Sequence, residues 1–593
     1  MGLDYWLVHC RWTIPPALAL WLVFRKLRTW RDVYKTLFLI TIAVTATIPW
    51  DSYLIRNRIW SYPESSVVGP TLFDIPLEEI FFFFVQTYIT SSVYALFSRR
   101  VVHAVLLPRT PREGRTARWT GTALFGAVFA LAWAKLQEGG EGTYLALIVA
   151  WVAPFLTLLW FVASTHLLAL PRVTLLASVS LPTLYLWECD ARALQRGTWV
   201  IEQGTKLGLS FRDLEIEEAV FFLLTNVMIV FGLAACDYCL AVYDIRSYDT
   251  GKSSTFPPLS QFLPILLWTP TEEQGQRIED LRAAIDILSI HSKSFSTASM
   301  VFDGRLRLDL LALYAWCRVC DDLVDNASSV SEAEGNIRLI KSCLDLLYPP
   351  TSSDSSSHPE RPSAKAIEAA LPGLNEAERG SFRLLSVLPI TRPPLDELLD
   401  GFHTDLSFLA FAGTKKDGDK SVPSVAAAEL PIKTDADLLT YANNVASSVA
   451  DLCVQLVWAH CASSSSVAPS ERREILAAAR KMGQALQLVN IARDVPADQS
   501  ISRIYLPARA LDTPVPDMTR ERRELLERAR QMASESRGAI ERLPEEARGG
   551  IRAACDVYLS IGDAVERALD EGRVHDRARV RKGTRAWTAL RAL

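Results

Sequence analysis

Seven apolar runs of near membrane-spanning length crowd the first 245 residues, and they limit the possible fold more than any other feature. They cover approximately 3–24, 33–54, 76–97, 119–136, 144–166, 172–188 and 217–242. A helix needs about 20 predominantly apolar residues to cross a bilayer. Backbone polar groups in hydrocarbon must bond within the segment, so such runs become helices. The overall mean hydropathy of +0.14 hides this division, because the rest of the chain has the composition of a soluble helical protein. Loop charge predicts orientation. Arg25, Lys26, Arg28 and Arg31 follow the first run, and Arg99, Arg100, Arg109, Arg112, Arg115 and Arg118 follow the third. The loop after the fourth is acidic, with Glu138 and Glu141. Positive charge stays inside. The N-terminus is therefore expected outside or in a lumen, and residue 245 onward in the cytosol, with an endomembrane bilayer as partner.

Within this half the sequence repeats. Asp51, Trp60, Glu78, Glu79, Phe82 and Phe83 recur as Asp190, Trp199, Glu217, Glu218, Phe221 and Phe222, each at an offset of 139 (190 − 51, 218 − 79). The same offset maps the first three runs onto the last three. Both Glu-Glu pairs then fall at one membrane depth, at the outer ends of the third and seventh spans. Carboxyls near hydrocarbon are costly and mark functional sites. Two adjacent carboxyls in a low dielectric do not both ionise easily, which leaves a proton donor beside a carboxylate. Capping of the helix dipole at the membrane boundary is the competing reading. The exact repeat favours chemistry, so Glu78, Glu79, Glu217 and Glu218 are the candidate acids.

The remainder carries two aspartate-rich helical segments, Asp321-Asp322-Leu323-Val324-Asp325 and, further on, Asn490 to Asp498. Residues at i and i+4 share a helix face. Asp321 and Asp325 form one acidic stripe, with Arg318 beside it. Gln487, Asn490, Asp494 and Asp498 form the other. Magnesium takes hard oxygen ligands from one or two carboxylates and from substrate phosphates. Two acidic stripes with nearby arginines suit a metal-held diphosphate, and two solvated helix faces are the plainer alternative. The net charge of −4 gives no basic field, so nucleic acid is not an expected partner. Ten cysteines are scattered without a framework. Cys236/Cys239 and Cys317/Cys320 lack the further ligands that zinc needs and read as buried thiols.

Two resemblances follow from quoted motifs. PWDSYLIRNRIWSY, PLEEIFFF and LEIEEAVFFLLTN, spread over residues 1–245, resemble the lycopene cyclases of the fungal and heterodimeric bacterial type. That resemblance implies acid-initiated ring closure of lycopene and other carotenes, with no cofactor evident. HSKSFSTAS, YAWCRVCDDLVD, GFHTDL, QLVNIARDVPAD and YLP, within 280–593, resemble the phytoene/squalene synthase family. That resemblance implies geranylgeranyl diphosphate as substrate and Mg2+ (or Mn2+) as cofactor. Asp321, Asp325, Asn490, Asp494 and Asp498 fall on its metal-binding positions, of which Asp321, Asp325 and Asp494 are counted as catalytic. Arg318 and Arg493 fall on its diphosphate contacts and His291, Ser292 and Ser294 on its substrate flap. Tyr314, Gln487 and Asn490 complete the expected substrate-binding set. The order of the two halves resembles the fungal bifunctional lycopene cyclase/phytoene synthase family.

The expected fold is all-α. A seven-span transmembrane bundle with a three-helix repeat (1–245) leads through a linker (246–270) to a soluble isoprenoid-synthase-type domain (271–593). Three positions depart from the synthase pattern. Ser447 stands where a glycine is usual and is expected to narrow a tight helix contact or the cavity. Pro496 is expected to kink its helix and deflect Asp498. Ser502 replaces another glycine. Two further readings stay open on the sequence: a squalene synthase-like enzyme with an N-terminal membrane anchor, and a degenerate non-enzymatic scaffold.

Overall fold

The computed structural model describes the chain except residues 1, 203, 252–253, 350–361, 413–430, 462–463, 465–466, 502 and 508–517. Ser502 and most of the low-complexity stretches lie outside the described residues. The chain forms two compact units, Met1–Ile278 and Glu279–Leu593.

The first unit is a helical bundle. Its long helices are α1 (Asp4–Phe24), α2 (Trp30–Arg56), α3 (Leu77–Ser98), α4 (Arg115–Glu138), α5 (Thr143–Ala169), α6 (Arg172–Arg196) and α7 (Ile216–Thr250). Every expected span coincides with one of them. Among the described residues, six are long and apolar enough to cross a membrane. The exception is α6, 25 residues long, which carries Ser178, Ser180, Thr183, Glu188 and Asp190 among its apolar residues. Those side chains lower its hydropathy, and Thr183, Ser178 and Asp190 point into the bundle, where they are buried.

Charges inside the bundle are paired, as a low dielectric demands. At the start of α2, Arg31 grips Asp244 through two bonds of 2.7 and 2.8 Å. Lys35 bonds Asp237 at 2.6 Å. Arg99, just past α3, reaches Asp32 at 2.7 Å. These pairs tie α2, α3 and α7 together at one end. The Glu-Glu pairs begin α3 and α7 at the other, about 30 Å away at 1.5 Å per helical residue.

At that second end lie three tiny sheets. β1 (Trp60–Ser61) pairs antiparallel with β4 (Val200–Ile201). Two hairpins, β2–β3 (Thr71–Leu72 with Ile75–Pro76) and β5–β6 (Ser210–Phe211 with Leu214–Glu215), lead directly into α3 and α7. Their turns use left-handed backbone at Phe73, Asp74, Arg212 and Asp213. Two-residue hairpins of this twist require positive φ at both central residues. Each turn is held by its aspartate: Asp74 accepts from Arg56 at 2.6 Å, and Asp213 from Gln195 at 2.8 Å.

Helices α8 (Phe262–Leu266) and α9 (Glu272–His291) follow, and the division between the units falls within α9. The second unit comprises α10 (Lys293–Ser299), α11 (Gly304–Asp325), α12 (Val330–Leu347), α13 (Ala364–Ala370), α14 (Glu376–Leu385), α15 (Pro393–Ala412), α16 (Asp435–Ala442), α17 (Ser448–His460), α18 (Pro469–Ser500), α19 (Thr519–Arg537), α20 (Glu545–Asp570) and α21 (Lys582–Ala592). The aspartate stripes sit on α11 and α18. The inner faces of both are apolar, with Trp316, Ala312 and Ala315 on one and Ala485, Leu488 and Ala492 on the other fully buried.

A π-helical turn, Asn443–Ser447, joins α16 to α17 and packs on α18. Here Ser447 is fully buried, and its hydroxyl donates to the Arg480 carbonyl at 2.6 Å. The expected narrowing is thus absorbed: the extra atoms find a backbone partner, and Gly483 leaves room opposite. All ten cysteines are free thiols. Of the four in C-x-x-C pairs Cys320 is buried, and Cys236, Cys239 and Cys317 are partly buried residues. Cys236 and Cys239 line an apolar groove of about 430 Å³ walled by α2, α5 and α7.

A side chain at Gly483 would place its Cβ 2.8 Å from the Ala446 carbonyl oxygen and 2.9 Å from Ser447 Cα, both backbone atoms that cannot step aside. Gly483→Ala is therefore expected to cost about 1–3 kcal/mol of stability in the second unit. Gly583→Ala, which meets open space, should leave it unchanged. Thermal unfolding of the two variants side by side checks this.

Candidate active sites

In the first unit the two members of each Glu pair take different roles. Successive helix residues point about 100° apart. Glu78 and Glu217 turn back to the loops: each Oε1 accepts a backbone N–H ten residues earlier, from Val68 at 2.8 Å and from Leu207 at 2.6 Å. Glu79 and Glu218 turn inward to tyrosines. Tyr5 and Tyr62 both donate to Glu79 Oε2, the latter at 2.7 Å. Tyr144 donates to Glu218 Oε1 at 2.6 Å. Asp51 and Asp190 lie close enough to Glu79 and Glu218 to feel their charge. All four carboxyls are buried. Among the described residues, Glu218 Oε2, Asp51 Oδ2 and Asp190 Oδ2 have no hydrogen-bond partner.

Aromatic rings enclose this cluster. Tyr5 packs 5.1 Å from Trp199 and 5.9 Å from Tyr62. Trp60 stands 6.5 Å from both Tyr144 and Trp199. Trp50 stacks on both Trp151 and Phe221, at 4.7 and 5.6 Å. Ring faces attract cations, and more strongly where water is excluded. The site therefore combines buried acids with a lining suited to positive charge on carbon. His9 braces it, with Nε2 3.0 Å from the Glu78 carbonyl oxygen. The sequence reading missed Tyr5, Tyr62, Tyr144 and His9. The signal for two of them was present, since Tyr5 and Tyr144 are also 139 apart (144 − 5).

In the second unit one arginine links the two aspartate-bearing segments. Arg318 pairs with Asp321 at 2.8 Å and with Asp322 at 3.0 Å. Arg503, past the end of α18, reaches Asp325 on α11 at 2.7 Å, while its own N–H bonds the Asp498 carbonyl at 2.9 Å. Asp405, from the GFHTDL motif, accepts from Tyr505 at 2.8 Å and Tyr441 at 3.0 Å. Asp494 is clasped by Arg493 and Arg577, each Nε 2.8 Å from Oδ1. Burial works against its charge, but the two guanidiniums hold it below the ordinary carboxylate range. Asp321 is pushed up to about 7, by burial and then by the Asp325 charge. Asp498 is pushed up to about 7, by burial and then by Asp494. Asp405 rises to about 6, chiefly through burial.

Helix α18 continues through Pro496 to Ser500, with Asp498 in its last turn. Asn490 donates to Gln487 Oε1 at 3.4 Å. Of the expected flap, Ser292 caps α10, accepting from the Phe295 N–H at 3.2 Å; His291 is exposed at the end of α9. The Ser294 side chain lies outside the described residues. Tyr314 stacks on Phe295 with centroids 5.0 Å apart.

Among the described residues no three His, Cys, Asp or Glu side chains gather as a self-sufficient metal cage. The residues fit a magnesium ion that also draws oxygens from a bound phosphate. Asn490 Oδ1 is buried without a partner among the described residues, an acceptor awaiting a cation or donor. Asp321 and Asp498 each face another carboxylate, an arrangement that a cation relieves.

The squalene/phytoene synthase family matches residues 288–584 and the lycopene cyclase family matches residues 4–97. Three relatives are named bifunctional lycopene cyclase/phytoene synthase. That of Gibberella fujikuroi is 40% identical over 606 residues, covering 100% of both chains. That of Leptosphaeria maculans is 42% identical over 620 residues with the same coverage. That of Neurospora crassa is 39% identical over 619 residues, covering 100% of this chain and 99% of the relative. Among solved structures, a dehydrosqualene synthase in complex with ligand gives a TM-score of 0.38 at 20% identity, covering 54% of this chain and 96% of that one. With identity near 40% running end to end, the chain belongs to the bifunctional lycopene cyclase/phytoene synthase family.

Proposed function

We propose that the chain serves carotenoid biosynthesis twice: its second unit makes phytoene, and its first unit cyclises lycopene. The carrying observation is the end-to-end likeness to relatives named for both activities, in one polypeptide. Residues 1–245 are assigned as the cyclase domain, 246–270 as linker and 271–593 as the synthase domain. We assign the cyclase domain seven spans, with α6 as the sixth, and a three-helix repeat. The repeated contacts support this: the two hairpins, the Glu78 and Glu217 loop bonds, and the Tyr5–Glu79 and Tyr144–Glu218 pairs all share one offset. The paired charges at one end of the bundle match the basic loops, which supports a cytosolic synthase and a lumenal or outer acid site.

For phytoene, the second unit would join two geranylgeranyl diphosphates. One substrate loses its diphosphate anion and becomes an allylic cation, the second substrate's alkene adds to it, and proton loss closes a cyclopropane. A second ionisation, rearrangement and proton loss give phytoene. Asp321, Asp325, Asn490, Asp494 and Asp498 would hold Mg2+, which when bound supplies charge neutralisation for the departing diphosphate. Arg318 and Arg493 would contact the diphosphate itself. Arg503 and Arg577 fix Asp325 and Asp494 before substrate arrives, so little rearrangement is needed as charge develops.

For cyclisation, a carboxyl would add a proton to the terminal alkene of lycopene. The tertiary cation is then captured by a neighbouring alkene to form a six-membered ring, and a carboxylate removes a proton beside the new cation. The change is an isomerisation and needs no redox partner. Glu79 and Glu218 are the assigned acid and base, held by their tyrosines, and the tryptophans would steady the cation. Two such events, through gamma-carotene, would give beta-carotene. Glu78 and Glu217 support the loops over the site.

Two sets of variants test this. Asp321→Asn and Asp494→Asn should each cut phytoene formation from geranylgeranyl diphosphate by about a hundredfold or more, the equivalent of several kcal/mol of barrier. EDTA should do the same to the unaltered protein, while cyclisation of supplied lycopene continues. Near-normal phytoene output from both variants would remove the stripes from the mechanism.

In cells that also carry a phytoene desaturase, Glu79→Gln or Glu218→Gln should let lycopene accumulate while phytoene synthesis persists. Tyr144→Phe should slow ring closure by about tenfold to a hundredfold, as loss of an orienting partner does. Glu78→Gln, which only weakens a loop bond, should retain more activity than Glu79→Gln. Unchanged beta-carotene in both Gln variants of the inner pair would shift the acid role to Asp51 and Asp190.

A further inference from the structure

Pro496 sits in the last turns of α18, between Asp494 and Asp498. Proline has no backbone N–H, so the carbonyl four residues earlier loses its helical donor. That carbonyl belongs to Ala492, one of the most deeply buried residues of the helix. A buried carbonyl without a donor is costly and loosens the turn around it. The Ala492 oxygen nevertheless has one: Arg522 Nε, from α19, at 2.8 Å. Arg522 is itself fully buried. Its Nη1 donates to a second carbonyl, that of Val574, at 2.8 Å. Three residues on, Arg577 reaches back to Asp494 with bonds of 2.8 and 3.2 Å.

We propose that Arg522 is a positioning residue for phytoene synthesis: its guanidinium replaces the N–H missing at Pro496 and ties that turn to the segment that delivers Arg577 to Asp494. An ammonium would not serve both carbonyls equally, because the planar guanidinium fork presents donors in fixed directions. The chain thus keeps a helix-breaking residue between two ligand-bearing positions without losing the stripe. The inference rests on the assignment of Asp494 and Asp498 to the diphosphate site, and Arg522 acts through them without touching substrate.

The test is a double-substitution cycle in the full chain. Arg522→Met should raise the Mg2+ concentration for half-maximal phytoene formation by roughly tenfold to a hundredfold. It should also speed amide hydrogen exchange across residues 490–500, measured without metal or substrate. Pro496→Ala restores the missing N–H. In the Arg522→Met background it should recover most of the exchange protection and part of the Mg2+ requirement, the Val574 tie remaining broken. Arg522→Lys should fall between the unaltered protein and Arg522→Met, and it keeps the test open if Arg522→Met does not fold. Cyclisation of supplied lycopene by the same preparations should stay constant. Wild-type Mg2+ dependence and exchange in Arg522→Met would overturn the proposal. So would a double variant no better than the single one. If the unaltered chain makes no phytoene with Mg2+, the functional assignment fails; if it does and the cycle shows no coupling, only the role of Arg522 fails.

Discussion

Burial of carboxylates in a low-dielectric bundle governs the first unit. An isolated carboxylate there costs several kcal/mol, and only donors or opposite charges offset it. The bundle solves this differently at its two ends. At one end full countercharges meet: Arg31 with Asp244, Lys35 with Asp237 and Arg99 with Asp32. At the other, neutral phenols donate to Glu79 and Glu218, and no arginine or lysine pairs with either carboxylate among the described residues. The first solution locks helices together. The second leaves the acids without a fixed countercharge, since a phenol steadies a carboxyl without holding it permanently as an anion. One bundle thus holds an ion-paired end and a phenol-bonded end.

The second unit handles acid differently: most of its stripe aspartates meet arginines. Three stripe aspartates are paired to an arginine on or beside their own helix, or on a crossing segment: Asp321 with Arg318, Asp325 with Arg503, Asp494 with Arg493 and Arg577. Arginine is suited to this, since it stays charged and offers several donors in one plane. The same guanidiniums that orient aspartates can turn spare N–H groups to phosphate. Asp405 is the exception, held by Tyr441 and Tyr505, which stack 5.1 Å apart.

Local periodicity made the main outline legible. The acidic stripes, the Glu pairs and all seven long helices repeat at intervals that a sequence displays directly. What escaped was set by distance along the chain. Tyr5 and Tyr144 each lie 74 residues from the carboxyl they serve, and Arg503 lies 178 from Asp325. A single tyrosine or arginine carries no local pattern, so only the fold reveals its role. Two local rules also misled. Pro496 sits inside a continuous helix, and the carbonyl it leaves without a helical donor accepts from a distant arginine. The Glu-Glu dipeptide looked like one acidic unit, yet the helical twist sends its members to different neighbours. The twin halves differ as well: Tyr62 donates to Glu79, but the corresponding position in the second half is Ile201.

The loop bonds of Glu78 and Glu217 have a further consequence. Each hairpin loop is fastened to the same helical turn that presents an inner acid, so loop and acid move as one piece. A tertiary cation made beside those acids has two fates: capture by its own alkene, or capture by water to give an alcohol. The partition depends on whether a single water molecule reaches the cation before the ring closes. If the inner acids deliver the proton as proposed, a latch one residue away couples that delivery to the loop, and the fidelity of the product becomes a property of loop anchoring.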